Sequence, residues 1–98
     1  MPLFSKQPPE QYTIGFDFAG KLPTGTSLAS GSVAAVDAAG ADVSATILGS
    51  TTAGISGTKG TVLVKAGTAG VRYKITFLMT LSNGDKLEED VSMDVVQN

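Results

Sequence analysis

The chain has 98 residues, 42% apolar and 16% charged, with 12 Gly, 4 Pro and a formal charge of −2. Its length suits one domain, and its composition is too apolar for intrinsic disorder. It contains no Cys, His or Trp, which excludes a disulfide scaffold, thiolate or imidazole metal ligation and a Ser-His-Asp triad. The small negative charge argues against electrostatic binding of nucleic acid, and no apolar run approaches the ~20 residues of a membrane helix.

Residues 1–11 read as an extended N-terminal arm. Met1-Pro2-Leu3-Phe4-Ser5-Lys6 lacks the cationic start and apolar stretch of a signal peptide. The adjacent Pro8 and Pro9 favour polyproline backbone and cannot continue a helix. Such a terminus is by default frayed. Its functional reading is an arm that docks on a neighbouring subunit, with Leu3 and Phe4 as the apolar grip.

Residues 12–98 read as a single domain. Tyr12, Ile14, Phe16 and Phe18 share one face of an alternating stretch, the pattern of a half-buried strand. Gly20 to Gly25, with Pro23, interrupts it. Leu28 to Val36, anchored by Val33 and Val36, predicts a second strand. Asp37-Ala38-Ala39-Gly40-Ala41-Asp42 predicts a hairpin connection, with Gly40 at positive φ and the aspartates bonding nearby backbone N–H groups. Val43, Ala45 and Ile47 resume the alternation as a third strand. Residues 49–60 are small and polar apart from Ile55, the centre of a short edge strand. Thr61 to Ala66 predicts another strand, and Gly67-Thr68-Ala69-Gly70 turns the chain again.

The last two strands carry the clearest pattern. Tyr73, Ile75, Phe77, Met79 and Leu81 alternate with Arg72, Lys74, Thr76, Leu78 and Thr80, and Leu87, Val91, Met93 and Val95 lie on one face with Lys86, Glu88, Asp90, Ser92 and Asp94 opposite. A two-residue Asn83-Gly84 turn would set Phe77 against Asp90, joining an apolar face to a polar one, and one residue of slip inverts every side chain. The loop therefore holds an odd number of residues, most simply three with Gly84 left-handed at a bulge. The apolar pattern prefers a register one step further out, with Tyr73 opposite Val95 and Lys74 opposite Asp94. The turn chemistry prefers the shorter loop, and both registers stay open. About seven short strands without a helical stripe predict an all-β antiparallel sandwich.

Little here could do chemistry. Asp85, Glu88, Glu89, Asp90 and Asp94 cluster in sequence, but three of them project from the polar face of one strand, and such a face also discourages edge pairing. Glu89 falls on the apolar face, where a position near the strand end lets it reach water. Asp37 and Asp42 offer two carboxylates, whereas calcium takes six to eight oxygens. The glycine-rich stretches precede strands, not helices, so phosphate-cradle motifs do not apply. These residues predict no catalytic group, no cofactor and no metal. Tyr73, three residues beyond Gly70, stands where sandwich domains bond a tyrosine hydroxyl back to upstream backbone and lock the turn.

The run Ala66-Gly67-Thr68-Ala69-Gly70-Val71-Arg72-Tyr73-Lys74-Ile75-Thr76-Phe77, followed by Thr80, Ser82-Asn83-Gly84 and an alternating final strand, resembles the small Ig-like proteins of phage and prophage structural clusters. These are the fiber-tail adaptor or head–tail type. Lys6-Gln7-Pro8-Pro9-Glu10-Gln11-Tyr12-Thr13-Ile14 resembles their N-termini. The resemblance implies an Ig-like or fibronectin III-like sandwich with no catalytic residues. It implies a non-enzymatic virion structural or adaptor protein, made in the bacterial host cytoplasm. Such a protein acts through self-association or contacts with phage head or tail proteins, not nucleic acid or membrane. Leu3, Phe4, Pro8, Pro9 and Leu78 are the candidate assembly contacts, and Gly70 and Tyr73 the structural corner. The alternative is a bacterial Ig-like module for adhesion or carbohydrate binding.

Overall fold

The computed structural model describes residues 3–97; Met1, Pro2 and Asn98, the ends of the two predicted segments, lie outside the described residues. Among the described residues seven strands form two sheets: β1 Leu3–Lys6, β2 Tyr12–Asp17, β3 Leu28–Val36, β4 Gly54–Ser56, β5 Lys59–Val64, β6 Arg72–Leu81 and β7 Lys86–Val95. The larger sheet runs β1-β7-β6-β3 and the smaller β2-β5-β4. All neighbours are antiparallel except β1 and β7, which are parallel. The apolar faces meet in one core whose fully covered side chains include Phe18, Ile47, Val64, Ile75, Phe77, Met79, Met93 and Val95. The molecule is all-β with two stacked sheets, as the alternation requires.

β6 and β7 form its spine. Ile75 faces Val91, Phe77 faces Glu89 and Thr80 faces Lys86. Leu81 donates its N–H to the Asp85 carbonyl, leaving Ser82, Asn83 and Gly84 as a three-residue loop with Gly84 at φ 92°. The parity follows from the apolar pattern, and turn chemistry chooses the shorter register. The longer one, with Lys74 opposite Asp94, does not form. Arg72 takes that place and holds Asp94 through two hydrogen bonds of 2.6 and 3.0 Å, while Lys74 lies across from Ser92.

Two predicted strands need revision. Residues 43–47 do not alternate as a strand: Ser44–Ile47 is a one-turn helix, α1, with the Ile47 N–H bonded to the Val43 carbonyl. Val43 and Ile47 are four residues apart, a spacing shared by one strand face and one helix face. The choice falls to Ser44, whose hydroxyl accepts the Ala35 N–H at 2.9 Å inside the fold. Asp42 Oδ1 in turn accepts the Ser44 N–H at 3.0 Å and hydroxyl at 2.7 Å, starting the turn. In β3, Val33 is buried opposite Phe77, but Val36 lies outward opposite Lys74; Leu28 and Ala35 complete the inner face. A bulge between Leu28 and Ser30 adjusts that strand's start.

Of the predicted arm, Leu3–Lys6 lies as a strand on the chain's own sheet, and residues 7–10 turn back toward β2. Leu3 faces Ser92 and Lys6 faces Val95, and the Val96 N–H bonds the Lys6 carbonyl at 2.9 Å.

Candidate functional site

The sheet edges differ in how the chain closes them. β3, an edge by strand order, is covered by its own chain. Val33 donates to the Thr51 carbonyl, Ala53 to Gly31, and Val43 to Ala35. Sheet pairing there would have to displace these bonds. β4 is three residues long, a length that offers little to a partner. β1 and β2 are the edges of their sheets on the other side, each with one strand neighbour, and among the described residues no chain segment covers them as β3 is covered.

Between these two edges runs a groove of about 390 Å³ lined by Leu3, Phe4, Ile14, Gly15, Phe16, Asp17 and Val91. Its apolar walls follow from the alternation in β2, which turns Ile14 and Phe16 toward the core, and from Phe4, which faces Met93 across the parallel ladder. Phe16 meets Phe18 edge-on with ring centres 5.0 Å apart, and Phe4 lies tilted against Tyr12 at 6.3 Å. Leu3 is 55% exposed at the lip. The recess is mostly apolar, and the one charged side chain in its lining is the Asp17 carboxylate. That carboxyl is held low by the Ala19 N–H and the Thr58 hydroxyl.

Residues 7–11 link β1 to β2 through a turn. The Glu10 N–H bonds the Gln7 carbonyl at 3.0 Å, and Glu10 Oε1 accepts the Gln7 N–H at 2.6 Å, with Pro8 and Pro9 between. Lys6 is buried, and its ammonium donates to the carbonyls of Gln7 at 2.8 Å and Pro8 at 3.2 Å. Burial pulls its pKa below the ordinary lysine range, opposed by the nearby Glu10 charge.

The predicted contact residues therefore divide. Leu3 and Phe4 line the groove, whereas Pro8 and Pro9 lie in the β1–β2 link, outside that lining. Leu78 lies on the outer face of the large sheet, against a separate shallow recess with Ser30, Ser32 and Thr80. The sequence reading did not include Ile14, Phe16 and Val91 as groove walls, because a core-facing residue and a groove-lining one have the same alternation. It also missed Lys6, whose burial depends on the link folding over it.

The other predicted positions sit in local structure. The Tyr73 hydroxyl accepts the Thr68 N–H at 2.9 Å, and Gly70 turns at φ 87° with its N–H on the Val95 carbonyl. Glu89 pairs with Lys21 at the rim of the core. Asp37 accepts the N–H groups of Ala39 and Ala41, so the two aspartates of this turn are occupied in shaping it. Among the described residues no three acidic, His or Cys side chains cluster as a metal site, and no helix is long and apolar enough to cross a membrane.

Residues 6–94 match the family model described as podophage GP4 fiber-tail adaptor protein gp77. No curated protein and no solved structure matches the chain. The matched span runs from the end of β1 to the penultimate residue of β7 and so takes in nearly the whole double sheet, and the chain belongs to the podophage GP4 fiber-tail adaptor protein gp77 family.

Proposed function

We propose that this protein is a non-enzymatic phage or prophage virion component that joins tail proteins by protein–protein contact, presented on an Ig-like sandwich. The family match over residues 6–94 carries this reading. Strand order supports the Ig-like part: β1-β7-β6-β3 against β2-β5-β4 is the arrangement expected when a first strand crosses to lie parallel beside the last. The open β1 and β2 edges, with the apolar groove between them, supply the contact surface, because unpaired strand edges and exposed apolar recesses are where sheet proteins associate. Its partners are other copies or phage head and tail proteins, met after synthesis in the host cytoplasm.

A sugar-binding role would need aromatic rings laid open to stack a ligand. Phe18, Tyr73 and Phe77 are buried, Phe4 and Phe16 pack on the core, and Tyr12 is 36% exposed beside Phe4. That distribution favours assembly. Mass spectrometry of purified particles is expected to find this chain at a fixed stoichiometry. Light scattering of the isolated protein is expected to give a mass above that of the monomer. A strictly monomeric chain absent from particles would overturn the proposal.

A further inference from the structure

We propose that β1 is an exchangeable strand: in the assembled state Leu3–Lys6 of one copy pairs with β7 of a second copy, and the Pro8–Pro9 link spans the two. This deepens the assembly reading above and rests on it.

The acceptor surface for β1 is already complementary. Leu3 faces Ser92 and Lys6 faces Val95 in a parallel register, Phe4 packs on the core, and the Val96 N–H meets the Lys6 carbonyl. A second copy presents the same β7, so exchange makes these contacts again and requires no new surface.

β1 is lightly held. It has four residues and one neighbour, Leu3 is 55% exposed, Ser5 is exposed, Phe4 is only partly covered, and Lys6 alone is buried. Terminal pieces of this kind open at a small fraction of the global unfolding free energy. Departure of β1 uncovers the edge of a ten-residue strand and widens the groove at Ile14, Phe16 and Val91.

The link sequence favours the open path. Within one chain, residues 7–10 close a turn through the bond from Glu10 N–H to the Gln7 carbonyl, with prolines at both central positions. Proline at the second of these opposes a turn, because it pushes the residue before it toward extended backbone. The five residues from Gln7 to Gln11 drawn out in polyproline form span about 15 Å, more than the ~10 Å between packed sheets. The side-chain bonds that hold the closed form stay within residues 5–12: Gln7 N–H to Glu10, the Lys6 ammonium to the carbonyls of Gln7 and Pro8, and the Tyr12 hydroxyl to the Ser5 carbonyl at 3.1 Å. In the closed form the hydrogen-bond partners of that buried ammonium among the described residues are neutral carbonyls, with the Glu10 charge nearby. Extension of the link removes the carbonyls and lets it reach water.

The chain has no Cys, so disulfide trapping has no background. Leu3→Cys and Ser92→Cys chains would be purified separately, mixed at a concentration that gives oligomers by light scattering, and oxidised. Residues directly opposed across a ladder stand at disulfide distance. The expected product is a disulfide-linked heterodimer joining position 3 of one chain to position 92 of the other. Ser5→Cys with Asp94→Cys, the next outward-facing pair of the register, repeats the test where the buried Ser92 does not tolerate change. Replacing Pro8 and Pro9 by Gly is expected to lower the heterodimer fraction severalfold, since a flexible link closes on its own chain. Oligomers that yield no heterodimer, with cross-linking confined within the double variants, would overturn strand exchange and leave assembly standing. Monomers at every concentration would overturn both.

Discussion

At the scale of single residues, stability depends on polar groups whose partners are backbone. The Tyr73 hydroxyl is the acceptor for the Thr68 N–H, and Tyr73→Phe leaves that donor without it. The expected loss is about 1–2 kcal/mol in urea unfolding, and an unchanged midpoint would show that the bond contributes nothing net. Lys6→Met makes the opposite test. A buried cation whose hydrogen bonds among the described residues go to carbonyls is costly to bring out of water, so an apolar replacement of similar length should leave stability unchanged or raise it by up to about 2 kcal/mol. A marked loss of stability would instead make the Lys6 bonds essential to the fold. The acid limb belongs to Asp17, Asp42 and Asp94, each held below the usual carboxylate range. The Ala19 N–H and Thr58 hydroxyl lower Asp17, the Ser44 hydroxyl and N–H lower Asp42, and the Arg72 guanidinium lowers Asp94. Because the folded values lie below the unfolded ones, their stabilisation is full above about pH 4–5 and is lost as pH falls through the folded values. Asp94→Asn should flatten that acid limb in a pH series of melting temperatures.

At the scale of elements, turns decide what the strands leave open. Gly84 and Gly67 both have positive φ, at 92° and 101°. A Cβ on Gly84 meets open space, whereas one on Gly67 would come within 2.7 Å of a Val95 methyl. Gly84→Ala should therefore cost about 1–2 kcal/mol from backbone conformation alone, and Gly67→Ala more. Equal losses in chemical denaturation would contradict the packing. These elements also show how far the residue pattern reaches. The β6–β7 parity was legible because ten alternating residues on each side leave one consistent pairing of faces. The short β4 was legible from Ile55 alone among small polar neighbours. The helix α1 was not, because five residues with apolar positions four apart fit either period, and the deciding bond runs from Ser44 to β3.

At the scale of the whole molecule, pairing joins distant parts of the chain. β1 meets β7 across almost the full sequence, and β2 meets β5 across roughly half of it. Loop closure at such separations slows folding, so refolding by stopped flow is expected on the millisecond-to-second scale of all-β sandwiches. Microsecond refolding would mean that local structure dominates the barrier. The same long-range closure shapes the candidate assembly surface. β3 is sealed by residues 42–44 and 51–53, which leaves the longer open edges together at β1 and β2, with the groove between them.

The alternation of apolar and polar residues, punctuated by Gly and Pro, was enough by itself to determine an all-β chain with a core between two layers. Each half-buried strand displays its period locally, and the residues resembling fiber-tail adaptors lie in that same local grammar. The tertiary structure alone decided that Leu3–Lys6 adds to the large sheet, that Lys6 is covered, and that Phe4, Ile14, Phe16 and Val91 line one groove. Those outcomes depend on which strand edges meet across tens of residues, and a four-residue strand carries too few side chains to specify its neighbour in advance.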